Sequence, residues 1–128
     1  MGFFHSLFYV LLGVIAWTLP WVALHGLAAR LFPGSYTEAG TPTGALFLAA
    51  SLALATLLSI LAGFLTARLV PFRPMLHALA LALVQLALAA SIQVQNWSAM
   101  PVGYHAAFLG LLVPAHLAGG RLATRRRG

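Results

Sequence analysis

The chain has 128 residues, of which 62% are hydrophobic and only 6% are charged. A soluble domain carries about a quarter charged residues, so this composition excludes a soluble globular protein, and it is too apolar for a disordered one. Cysteine is absent and Glu38 is the only acidic residue. This excludes disulfides, thiolate metal sites and catalysis by paired carboxylates. We therefore expect a membrane protein that is not an enzyme.

Four apolar stretches are long enough to cross a bilayer, whose hydrocarbon core of roughly 30 Å needs about 20 helical residues. They cover residues 7–31, 44–67, 76–94 and 102–120, and Arg30 is the only charged residue among them. Stretches that are apolar on all sides are typical of transmembrane helices. Because the linkers are short, neighbouring helices should be antiparallel. The sequence predicts an all-α integral membrane protein, a four-transmembrane-helix antiparallel bundle in one domain over residues 1–128.

The linkers and the prolines predict local features of these helices. Thr41 followed by Pro42 predicts an N-cap with proline at the first helical position of the second helix. Pro20 and Pro114 lie inside the first and fourth stretches, and a proline lacks the amide hydrogen that an α-helix needs, so kinks are expected there. Residues 121–128 are predicted to form a basic tail.

The arginines predict the orientation. In an antiparallel bundle most of them share one face with both termini, namely Arg68, Arg73, Arg121, Arg125, Arg126 and Arg127. Only Arg30 lies on the opposite face. The positive-inside rule then places both termini in the cytoplasm, and the absence of lysine favours a GC-rich bacterium, hence a multi-pass protein of the bacterial inner membrane. Arg125, Arg126 and Arg127 are predicted to contact anionic lipid headgroups rather than nucleic acid.

Small residues recur at every fourth position of the second helix. We call Ser51, Ala55, Ser59, Gly63 and Ala67 the small-residue ladder. Small side chains let another helix approach closely, so the ladder predicts helix packing within the monomer or, alternatively, in a homo-oligomer. Leu52, beside the ladder, is expected to matter less if it faces lipid. Gln85, in the middle of the third helix, is predicted to bond another helix, since an unpaired amide in hydrocarbon costs free energy.

Four histidines pair by depth, His25 with His105 and His77 with His116. This arrangement resembles di-haem cytochrome b proteins, in which a four-helix bundle holds one bis-histidine haem near each leaflet. The resemblance implies haem b, with these four histidines as axial ligands and with Gly13 and Gly110 making room for the macrocycle. The favoured interpretation has no cofactor and no metal, with interfacial histidines that face headgroups or loops.

The second half of the chain carries the segments GFLTAR at 63–68 and RPMLHA at 73–78, then Pro101-x-x-Tyr104 and Gly119-Gly120-Arg121. In these it resembles a loose class of small, uncharacterised four-helix bacterial inner-membrane proteins, which implies the architecture and no assigned activity. We expect an accessory or interaction subunit of a larger membrane complex. The alternatives are a b-type haem protein in electron transfer and a small transporter or flippase lined by Gln85 and Trp17.

Overall fold

The structure, a computed structural model, describes residues 2–127. Over that range the protein is all-helical, and its four long helices are α1 (Phe3–Leu31), α2 (Ala45–Leu69), α3 (Pro74–Gln95) and α4 (Val102–Arg125). Each is long and apolar enough to span a membrane. The predicted all-helical class with four candidate membrane spans is therefore confirmed.

Two helix ends differ from the prediction by more than two residues. The first helix begins at Phe3 rather than at residue 7, and α4 continues through Arg125 rather than ending at residue 120. The predicted basic tail is thus wrong for residues 121–125, which form the last turn of α4. Arginine has a high helix propensity, and cations near the C-terminal end of a helix interact favourably with its dipole.

The start of α2 also differs from the prediction. The N-cap is Gly44, at φ 80°, and not Thr41. Pro42 is buried in the loop, where it forms an isolated antiparallel bridge with Tyr36. The loop is closed further by the Thr37 amide, which donates to the carbonyl of Thr41 over 2.9 Å. Bonds within the loop therefore hold the Thr-Pro pair outside the helix.

Helix α2 contacts each of the other three helices, and its interface with α4 is the most extensive in the bundle. Every residue of the small-residue ladder is buried. Gly119 of α4 approaches the same helix so closely that a β-carbon there would lie 2.8 Å from the Ile60 carbonyl carbon. The two backbones therefore touch, and van der Waals contact of this kind is a main source of helix association in lipid.

The other helices also pack through small residues. On α1, a β-carbon at Gly13 would lie 2.6 Å from Leu81 of α3. Ala67, Ala78 and Ala123, from α2, α3 and α4, form a fully buried cluster. Leu52 is half-buried and packs on the core, so the condition that it faces lipid is not met.

Candidate functional site between α1 and α3

A cavity of about 420 Å³ lies between α1 and α3, with Phe108 of α4 in its wall. Sites that bind small molecules range over about 300–1,000 Å³. The α1–α3 interface is among the least extensive in the bundle, which explains why space remains there. Among residues 2–127, no charged side chain and no histidine lines the cavity. The rim residues Val22 and Ile92 are 61% and 62% exposed.

One wall of the cavity is aromatic. Trp17 and Trp21 follow one another at i and i+4 on α1, and their rings stack with centroids 5.1 Å apart. The ring of Phe108 meets both edge-on, at 6.2 Å from Trp17 and 5.5 Å from Trp21. Edge-to-face and offset arrangements at such distances are favourable. The three rings therefore form a continuous apolar surface of fixed shape.

The depth of Trp17 has a local explanation. Its indole N–H donates to the hydroxyl of Ser59 over 2.9 Å, and Ser59 in turn donates to the Ala55 carbonyl over 2.7 Å. Both residues are buried. An indole that finds a hydrogen-bond acceptor can lie away from the aqueous interface. Helix α1 is continuous through Pro20, between the two tryptophans.

The opposite wall carries a buried amide. Gln85 is 3% exposed and lines the cavity. Its Oε1 atom has no hydrogen-bond partner among the described residues, so the predicted bond from this oxygen to another helix is not formed. The side chain is buried with Ala82 and Ala89 on the same face of α3, as the spacing predicts.

A second glutamine, Gln93, also lines the cavity, and sequence reasoning did not single it out. It follows Gln85 by eight residues, a spacing that returns to the same face of a helix, so this signal could have found it. Its side-chain amide bonds Nδ1 of His105. The other ring nitrogen of His105, Nε2, donates to the Trp97 carbonyl over 2.9 Å. The imidazole of His105 and the indole of Trp97 stack with their centroids 4.4 Å apart.

The structure gives His25 and His105 separate partners. His25 Nδ1 lies 3.0 Å from the Tyr36 hydroxyl, and its ring packs on Trp21 at 4.1 Å. Burial raises the pKa of the Tyr36 hydroxyl above its ordinary value of 10.0, so the group is protonated at neutral pH and can donate. Both His105 nitrogens are already bonded. His25 therefore reaches the first loop, whereas the fully buried His105 bonds both α3 and the third loop.

His77 and His116 each bond a carbonyl of their own helix. The acceptors are Arg73, at 3.0 Å from His77 Nδ1, and Leu112, at 2.8 Å from His116 Nδ1. His116 is fully buried and its Nε2 atom has no partner among residues 2–127. It does not face headgroups, and the expectation of an interfacial position is wrong for it.

The two glycines expected to make room for a macrocycle do not lie in a slot. The space beside Gly13 is filled by Leu81, whereas Gly110 is exposed with open space beside it. Within the described part of the chain, no three metal-ligating side chains cluster. The haem alternative stays a prediction.

Two of the three arginines predicted at lipid headgroups have contacts within the protein. Arg127 donates through Nη2 to the carbonyl of Val70 over 3.0 Å and to that of Arg68. The guanidinium of Arg126 lies 6.0 Å from the centre of the Phe64 ring. Arg125 is exposed at the end of α4. Headgroup contact stays a prediction for all three, and Arg127 in addition caps the last turn of α2.

Comparison of the chain with protein-family models, with curated proteins and with solved structures gives no match. Its function is therefore inferred from its own geometry.

Proposed function

We propose that the protein binds a small apolar molecule within the membrane, as a carrier or transporter does, in the cavity between α1 and α3. The observation that supports this is the combination of a cavity of about 420 Å³, an aromatic wall and a buried amide without a partner. Apolar pockets with a few polar groups are typical of ligand sites. This favours the transporter class among the functions considered.

The rim favours a lateral path for the ligand. Val22 and Ile92, on opposite sides of the opening, are both largely exposed. In a membrane, exposed apolar side chains of spanning helices face the lipid chains. A molecule dissolved in the bilayer could then reach the cavity between α1 and α3 without crossing an aqueous phase.

Quenching by 1-bromonaphthalene tests this proposal, because a bromine atom quenches indole fluorescence on contact. The full chain with Trp97→Phe, in lipid vesicles, retains only Trp17 and Trp21 as fluorophores. We expect a saturable component of quenching above the linear background from bilayer partitioning. Ala89→Phe, which fills the cavity, should abolish the saturable component, whereas Ala87→Phe on the exposed face of α3 should retain it. Purely linear quenching in both would overturn the proposal.

We further propose an antiparallel bundle in a bacterial inner membrane with both termini in the cytoplasm. The contacts of Gly13 with Thr66 and of Trp17 with Ser59 support opposite directions for α1 and α2. Most arginines lie at the end of the bundle that holds the buried cluster of Ala67, Ala78 and Ala123. The positive-inside rule favours the cytoplasm for this end. Reporter fusions after residue 128 and within residues 35–40 should report cytoplasm and periplasm, respectively. The reverse result at both would contradict the orientation.

A role as an accessory subunit stays a prediction, based on the small-residue ladder of α2. Its test is purification in mild detergent followed by identification of bound proteins. A stoichiometric partner retained by both the wild type and Ala89→Phe would support a subunit role that does not depend on the cavity.

A further inference from the structure

The two tryptophans of the aromatic wall are held in place by different means. Trp17 is buried, and its indole donates to Ser59. Trp21 is only half-buried and packs against three rings, with centroid distances of 5.1 Å to Trp17, 5.5 Å to Phe108 and 4.1 Å to His25. The His25 ring is the nearest of the three. The orientation of Trp21 therefore depends on where the His25 ring lies.

Packing alone does not fix the His25 ring. A second cavity, of about 180 Å³, lies between α1, the first loop and α2, and it borders both His25 and Tyr36. It leaves space into which the imidazole could turn away from Trp21. The hydrogen bond between Nδ1 of His25 and the hydroxyl of Tyr36, over 3.0 Å, opposes such a turn.

Tyr36 is fixed in turn by the first loop. Its backbone forms the bridge with Pro42, and its ring meets that of Phe47 in α2 edge-on at 5.8 Å. A series of contacts thus runs from the folded loop through Tyr36 and His25 to Trp21. Trp21 lines the cavity between α1 and α3, whereas Tyr36 and His25 do not. Any influence of these two residues on a ligand there is therefore indirect.

Resting on the proposed function, we infer that Tyr36 and His25 are positioning residues for the cavity between α1 and α3, which hold Trp21 in the aromatic wall and so raise the affinity for the ligand. The first loop thereby takes part in binding although it lies outside the cavity. Without the bond, Trp21 leaves the wall in a fraction of the molecules. The apparent dissociation constant then rises as the fraction competent to bind falls.

Fluorine-19 NMR of the full chain that retains only Trp17 and Trp21, labelled with 5-fluorotryptophan, tests the positioning. Tyr36→Phe keeps the ring and removes the hydroxyl, so it should shift the Trp21 resonance by more than the Trp17 resonance. Tyr9→Phe removes a hydroxyl about 24 Å from His25 along α1, at 1.5 Å per residue, and should shift neither. An unchanged Trp21 resonance in Tyr36→Phe, or equal shifts of both resonances, would overturn the inference.

Saturable quenching by 1-bromonaphthalene measures the consequence for binding in the same chain. Tyr36→Phe should raise its dissociation constant by about three- to tenfold, as expected for the loss of one hydrogen bond, whereas Tyr9→Phe should not. His25→Ala should raise it at least as much. Adding Tyr36→Phe to His25→Ala should then have no further effect, because Tyr36 acts through His25. Additive effects would contradict that order of contacts.

The outcomes separate this inference from the proposed function. If His25→Ala does not fold, Tyr36→Phe decides by itself, since it retains both rings. Saturable quenching with the same dissociation constant in Tyr36→Phe and in the chain with Tyr36 rejects the positioning role alone. The absence of saturable quenching in the chain with Tyr36 rejects the proposed function and the effect on affinity, whereas the fluorine spectra still show whether Tyr36 holds Trp21.

Discussion

Gly63 of α2 lies against the backbone of His116 in α4, and a β-carbon at position 63 would come within 2.8 Å of the His116 carbonyl carbon. Backbone atoms cannot yield as the end of a flexible side chain can. The two helices must separate to admit even a methyl group. This contact lies in the most extensive interface of the bundle, so its loss should affect the whole fold.

We therefore predict that Gly63→Ala lowers the free energy of unfolding by about 1–3 kcal/mol, the usual cost of overpacking, and that Gly63→Leu costs more. Thermal unfolding in detergent measures the effect. Gly110→Ala is the matched control, because Gly110 lies in α4 with open space beside it. Equal melting temperatures for Gly63→Leu and the wild type would contradict close packing at this face.

The bond between Trp17 and Ser59 permits a second prediction. Trp17→Phe keeps an aromatic ring but removes the N–H donor, and Ser59→Ala removes the acceptor. A double-mutant cycle of these changes should give a coupling of about 0.6 kcal/mol, the average for such bonds in membranes. The unfolding equilibrium in mixed detergent micelles provides the four values. Pairing Trp17→Phe with Thr56→Ala, whose hydroxyl bonds its own helix at Leu52, should give additive effects.

The sequence predicted some of these features because they depend on periodicity along one helix. Apolar length alone located four spans, and four-residue spacing located the buried ladder around Gly63. The candidate site could not be predicted from the sequence, because it depends on distances between helices. Nothing in the local sequence shows that α1 and α3 stand apart beside Gln85, so a bond was predicted where a cavity exists. The cap by Arg127 was missed because it depends on how α4 packs against the end of α2, which no local pattern shows.

The third prediction concerns Arg127, which donates to the carbonyl of Val70 at the end of α2. A cation there satisfies exposed carbonyls and interacts with the helix dipole, for about 0.3–1 kcal/mol. Arg127→Ala should thus increase amide hydrogen exchange over residues 66–70 by about two- to fivefold. Arg125→Ala, an equal loss of charge on the same face, should not. The same increase in both variants would show that total charge, and not this cap, protects the helix end.

The last prediction concerns the protonation of His105, which is fully buried. The Trp97 carbonyl can only accept, so Nε2 must carry a hydrogen. The other nitrogen faces the Gln93 amide, which can either donate or accept. The tautomer with hydrogen on Nε2 should therefore be favoured.

Nitrogen-15 chemical shifts of the ring in labelled protein distinguish the possible states. We expect the hydrogen on Nε2, with the Gln93 amide turned so that its N–H donates to Nδ1. Gln93→Leu should remove that donor, shift the Nδ1 resonance and leave Nε2 on Trp97. His5, exposed near the start of α1, provides the reference for a solvated ring. Hydrogen on Nδ1 of His105 would contradict the assignment.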